Sequence, residues 1–211
     1  MTWPPLTDLF ALLGVNLVLC AVFARLLFPG AVVRPCMKWL VAAVFLLLWL
    51  PVGSAHIPVV AYIRGLSSDL SLTLVMLAGM GLWQRMRGVA LLAAPERTAV
   101  FGVVVLAAVL LYPTALGWGD FDAYRLGWGS PAILAGLFVL CVAGWILNFR
   151  LLPLLIAVAL LAWVAGLMES TNLWDYLMDP WLTATAFVHC LRAGIMKLFN
   201  RRKPSPGIAA G

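Results

Sequence analysis

Long apolar runs separated by short polar breaks occupy almost the whole chain. Runs over residues 9–28, 98–115, 131–147 and 151–168 approach or reach the length of about 17 residues that crosses a bilayer core as a helix. A further run begins near Trp39 and carries Pro51, Gly53 and Pro58 in its later part. Proline removes a helical hydrogen bond, so this segment is expected to bend or to end early. A shorter run covers residues 70–83, where Ser67 or Ser68 is expected to cap the helix and Asp69 to complement its dipole. The stretch WLTATAFVHCLRAGIMKLF, residues 181–199, is only moderately apolar and reads as a seventh span or a surface helix. The pattern predicts an all-α fold: a polytopic integral membrane helical bundle of six to seven transmembrane helices with short loops. Residues 1–200 form a single transmembrane domain, and 201–211 a basic, proline-rich cytoplasmic tail.

Composition agrees with this pattern. Of 211 residues 64% are hydrophobic and 10% charged, and the mean hydropathy is +1.05. A soluble domain carries about 25% charged residues, so too little charge is present here to cover a water-facing surface. The runs do not alternate, which excludes the roughly ten-residue alternating segments of a β-barrel. The opening MTWPPLTDLFALL has no basic stretch before its apolar run and reads as a retained first span. The four cysteines are scattered and form no C-x-x-C pair.

The net charge of +6 reflects topology and not nucleic-acid binding. With the N-terminus extracytoplasmic, the loops bearing Arg34 and Lys38, then Arg85, Arg87 and Arg97, then Arg150 all fall on the cytoplasmic side. Arg201, Arg202 and Lys203 join them if the last helix crosses. Only Arg64 and Arg125 fall outside, together with seven of the eight acidic residues, all but Glu96. The expected location is a cell membrane, the inner one in a bacterium.

Polar chemistry is confined to three outer islands. One holds His56, Arg64 and Asp69. The second is GWGDFDAYRLGWGS, residues 117–130, with Asp120, Asp122 and Arg125. The third holds Glu169, Asn172, Asp175 and Asp179. Trp118, Phe121, Trp128, Trp174, Tyr176 and Trp181 suit the headgroup region. Two arginines able to grip phosphate with a bidentate fork make a lipid phosphate a sensible ligand. The candidate substrate-binding set is therefore Arg64, Asp69, Asp120, Asp122, Arg125, Glu169, Asn172 and Asp175. Asp120 and Asp122 form a D-x-D, a spacing some sugar transferases use for a divalent cation, but the chain lacks their size and their further motifs, so no metal is expected.

Other chemistries lack the residues they need. His56 and His189 are too few and too far apart for a haem spanning the bundle, and read as partnered structural histidines. No H-E-x-x-H, P-loop or convincing nucleophile-base pair is present, and no cofactor is implied. Ionisable groups are scarce within the spans, where Asn16 is one of few polar side chains; this weighs against a coupled transporter. The expected function is a membrane component of envelope assembly that works with a lipid phosphate or a lipid-linked glycan. It is not expected to be a complete hydrolase, and a membrane protein partner could supply the chemistry. The alternative is a small transporter or channel with an outer vestibule.

Overall fold

The computed structural model describes residues 5–28 and 35–201. Arg34, Arg202 and Lys203, which enter the charge argument, lie outside the described residues, as does the remainder of the tail. Among the described residues the protein is all-helical apart from one small hairpin. Helix α1 is Leu6–Leu27 and α2 is Pro35–Leu47. Strands β1 (Pro51–Val52) and β2 (Ile57–Pro58) pair antiparallel, followed by α3 (Val59–Ser67) and α4 (Leu72–Arg87). Helix α5 is Ala94–Ala115, and a 3-10 helix at Ala123–Gly127 precedes α6 (Pro131–Ile146). Helix α7 is Leu151–Val164, α8 is Leu173–Leu177 and α9 is Pro180–Arg201.

Among the described residues, three helices are long and apolar enough to cross a membrane: Leu6–Leu27, Ala94–Ala115 and Pro180–Phe199. That is fewer than the six to seven expected. The stretch left open between span and surface helix is one of the three. Helices α6 and α7 are apolar throughout but have 16 and 14 residues. They rise about 24 and 21 Å, short of a hydrocarbon core of about 30 Å. The residues that were to complete α7, up to Met168, turn away after Val164 into a loop. The outward faces of α5, α6 and α7 are apolar and exposed, at Leu106, Leu110, Phe138, Trp145, Leu161 and Val164 among others. Such a surface is compatible with a membrane location.

The proline-containing segment ends its helix early instead of bending it. Helix α2 stops at Leu47, and Pro51 and Pro58 sit opposite each other across the hairpin. His56 occupies the hairpin turn at φ 51°, its Nδ1 3.1 Å from the Gly53 carbonyl. The Tyr62 hydroxyl returns from α3 to donate to the Val52 carbonyl.

The main core lies among α4 to α9, around Val100, Val104, Leu155, Ala159, Leu173 and Leu182. A smaller cluster of Cys20, Ala24 and Leu82 joins α1 to α4, with Val41, Val44 and Phe45 of α2 against it. Gly14 lets α1 approach α4, since a β-carbon there would stand 3.1 Å from a Val75 methyl. The buried Asn16 donates to the Phe45 carbonyl at 3.1 Å, in the last turn of α2, where carbonyls lack helical partners. The single buried polar residue of the first helix therefore holds the second in place.

Side-chain contacts gather at two ends of the bundle. At one end, Arg85 of α4 donates to the carbonyl of Phe28, after α1. Glu96 of α5 accepts from the backbone of Arg150 before α7, and His189 of α9 meets the Thr98 hydroxyl. At the opposite end lie the start of α1, helix α3, the start of α4 and the loops 116–130 and 165–179. Asp179 is the junction there. Its Oδ2 accepts the Ser71 backbone N–H at 2.7 Å and its Oδ1 accepts that of Leu182 at 2.8 Å. It thereby caps α9, whose first residue is Pro180, and ties α9 to the start of α4. Ser71, not Ser67 or Ser68, is the cap of α4, accepting from Leu74 N–H. Asp179→Ala strands both buried donors and should cost about 2–3 kcal/mol, read as a lowered thermal midpoint in detergent. Asp179→Asn, which keeps an acceptor for one donor, should lose less.

Candidate functional site

Helix α3 is short and amphipathic, and Arg64 sits in its last turn, where the partial negative charge of the helix end favours a cation. Its guanidinium meets three carboxylates from distant parts of the chain. Nη1 is 2.6 Å from Asp8 Oδ1, Nε 2.7 Å from Asp69 Oδ1 and Nη2 2.9 Å from Glu169 Oε1. The cluster fastens the start of α1, the α3–α4 connection and the loop after α7 to one side chain. The facing carboxylates raise the pKa of the guanidinium still further. All donor edges are spent on carboxylates, and the cluster carries two more negative charges than positive ones. An additional anion would be repelled, so the expected phosphate grip does not fit Arg64. Asp8 is missing from the sequence-derived set. Its signal was its place as the sole acid at the edge of the first apolar run.

The motif 117–130 forms a separate unit with the third island. Asp122 accepts from Tyr124 N–H and caps the 3-10 helix. Asn172, buried, donates to the Tyr124 carbonyl at 3.0 Å and accepts from Trp174 N–H at 2.9 Å as the cap of α8. The Trp174 indole donates to the Ala123 carbonyl at 3.0 Å. Asp175 accepts from the Tyr124 hydroxyl at 3.1 and 3.0 Å and from Ser170. Burial and the facing Asp175 carboxylate push Tyr124 up to about 12. Gly127 is required by this interlock, because a β-carbon there would lie 1.7 Å from Asn172 Oδ1. Trp174 and the almost fully buried Tyr176 therefore lock loops and do not stand in a headgroup belt. The Tyr176 hydroxyl accepts from Met168 N–H and donates to the Ser170 carbonyl.

The eight expected residues thus divide. Arg64, Asp69 and Glu169 meet in one cluster. Asn172 and Asp175 join the 3-10 helix through Tyr124. Asp120 is exposed, and Asp122 serves its own turn. Arg125 is exposed and has no carboxylate within salt-bridge distance among the described residues, although Asp120 and Asp122 are close in sequence. Trp118, Phe121 and Trp128 of the same loop are also exposed, with Trp128 edge-on to Tyr124 at 5.5 Å. Among the described residues no three of His, Cys, Asp or Glu converge as metal ligands.

Two outcomes test this geometry. Arg64→Lys should lower the thermal midpoint, because one ammonium cannot address three carboxylates in the plane of the fork; Arg64→Gln should lower it further. Tyr124 gives a pH signature. The folded protein holds its hydroxyl proton more tightly than the unfolded chain does. Its contribution is therefore complete below pH ~10 and is lost as the pH rises toward about 12. Unfolding midpoints measured between pH 9 and 12 should fall less steeply in Tyr124→Phe than in the parent.

No protein-family model, curated protein or solved structure matches this chain.

Proposed function

We propose that the protein is a multi-spanning membrane protein of the cell envelope that works with a lipid phosphate or lipid-linked glycan at its extracytoplasmic face. The spans are α1, α2, α4, α5, α6, α7 and α9, the shorter ones accommodated by local thinning of the bilayer. The N-terminus and the acidic end face outward, and the basic end faces the cytoplasm, following the distribution of lysine and arginine.

The observation that carries this reading is Arg125. Its guanidinium is exposed and unpaired by any carboxylate among the described residues, on a loop that also exposes Trp118, Phe121 and Trp128. The loop that presents it is anchored by Asn172, Trp174 and Asp175, so little ordering is needed when a ligand arrives. A guanidinium fork on a loop with exposed aromatic side chains suits a phosphate at headgroup depth. No nucleophile-base pair accompanies it among the described residues, which favours a binding component whose partner supplies the chemistry. The transporter reading has less support. A cavity of about 100 Å³ in the main core is lined by Val104, Leu137, Leu155, Ile156 and other apolar groups, with Thr73 as its single hydroxyl.

Native mass spectrometry of the gently purified protein should show a retained phosphate-bearing lipid or glycolipid. Arg125→Lys should weaken retention about tenfold, the worth of one charge-assisted hydrogen bond. Unchanged retention in Arg125→Lys would overturn the assignment. Orientation is tested separately by cysteine labelling in a cysteine-free background. A probe at Asp120 should react from outside and one at Val89 should not.

A further inference from the structure

A second feature lies at the opposite end of the bundle. Helices α2 and α4 both pack on α1 but leave a groove of about 540 Å³ between them, within the roughly 300–1,000 Å³ range of small-molecule sites. Leu17 and Cys20 of α1 form its floor, and Val41, Phe45 and Leu82 its walls. Its mouth is cationic. Lys38 lies in the first turn of α2 and Arg87 ends α4, and both are exposed and line the groove. Neither meets a carboxylate within salt-bridge distance among the described residues. The Arg87 guanidinium rests over the Trp83 ring, 4.8 Å from its centroid, which holds the charge at the rim. The partial positive charge at the start of α2 adds to both.

We infer that this groove holds one acyl chain of an anionic phospholipid from the leaflet at the basic end, with the headgroup phosphate between Lys38 and Arg87. The dimensions suit this occupant. From Lys38 to Leu46 helix α2 rises about 12 Å, close to the ~15 Å half-thickness of a hydrocarbon core. Charge selects the class of lipid. A zwitterionic headgroup would bring its own cation to a mouth that already holds two, whereas an anionic one neutralises them. A helix from a second copy would fill the apolar walls but leave both cations uncompensated. Asn16 keeps the groove open by fixing the end of α2 on α1 through the Phe45 carbonyl. The inference rests on the membrane location alone and is independent of the outer loop around Arg125.

Native mass spectrometry of the full chain, titrated with phosphatidylglycerol or phosphatidylcholine of identical acyl chains, tests it. The wild type should retain one phosphatidylglycerol in clear preference to phosphatidylcholine. Lys38→Gln combined with Arg87→Gln should lower phosphatidylglycerol retention about tenfold, the effect of removing two cations beside an anionic headgroup, and so abolish the preference. Ala42→Trp, which places an indole in the groove wall, should reduce retention of both lipids. Equal retention of the two lipids by the wild type overturns the inference, and that comparison needs no variant to fold. A preference that survives the double substitution also overturns it, as does a dimer mass that Ala42→Trp dissociates. Loss of Arg125-dependent retention without loss of this preference, or the reverse, separates the two sites.

Discussion

Two helix N-termini buried side by side present unsatisfied N–H groups and like-signed dipole ends, and the bundle meets that constraint with one carboxylate. Asp179 accepts from Ser71 at the start of α4 and from Leu182 in the first turn of α9, and it is nearly inaccessible to solvent. Negative charge at a helix N-terminus is stabilising, and here one group serves two. Helix α4 touches α1 on one side and α7, α8 and α9 on the other. Fixing its start relative to α9 therefore sets the relation between the smaller α1–α2–α4 cluster and the main core. The loop that carries Asn172 and Asp175 is short enough to inherit that position.

Helical architecture was legible in the sequence because the long apolar runs do not alternate, which disfavours strands. The positions of the turns were legible where a residue had one dominant preference. Pro51 and Pro58 announced the end of α2, and the NFR connector between α6 and α7 is as tight as it reads, with Asn148 in the left-handed region at φ 60°. Helix α3 was not legible. Its nine residues contain Tyr62 and Arg64 and look like loop, and only their packing against α1 and the hairpin makes them a helix. Helix lengths were overestimated for a related reason. Leu167 and Met168 continue the apolar run of α7, but burial of their loop against Tyr176 satisfies them equally well.

The candidate site was legible as a location and not as a chemistry. Carboxylates in an apolar chain had to gather somewhere, and all but Glu96 gather at one end. Which of them remain available for a ligand depends on pairings across 56 and 105 residues, as in Arg64 with Asp8 and with Glu169. Spacing carries no information about such pairings. Of the two arginines in the candidate set, Arg64 meets three carboxylates and is structural, whereas Arg125 is exposed and meets none among the described residues. Gly127 shows the same limit, since the first glycine of a Gly-Trp-Gly triplet reads as a turn residue. Its actual constraint is the Asn172 side chain, 45 positions away in the chain but in van der Waals competition with any β-carbon.

The tight α6–α7 connector has a consequence for the order in which the chain assembles. Closing a loop of a few residues costs little chain entropy, and helix pairs built from local contacts form fast. The α6–α7 hairpin, with Phe149 N–H returning to the Gly144 carbonyl and Pro153 packed against Gly144, can form before either end of the chain is in place. The carboxylate fastenings are the opposite case, because Ser71 and Asp179 are 108 residues apart. The acidic end therefore closes late, as a latch over a bundle already collapsed. Until then its carboxylates and backbone donors are open to water and to whatever assists the nascent chain.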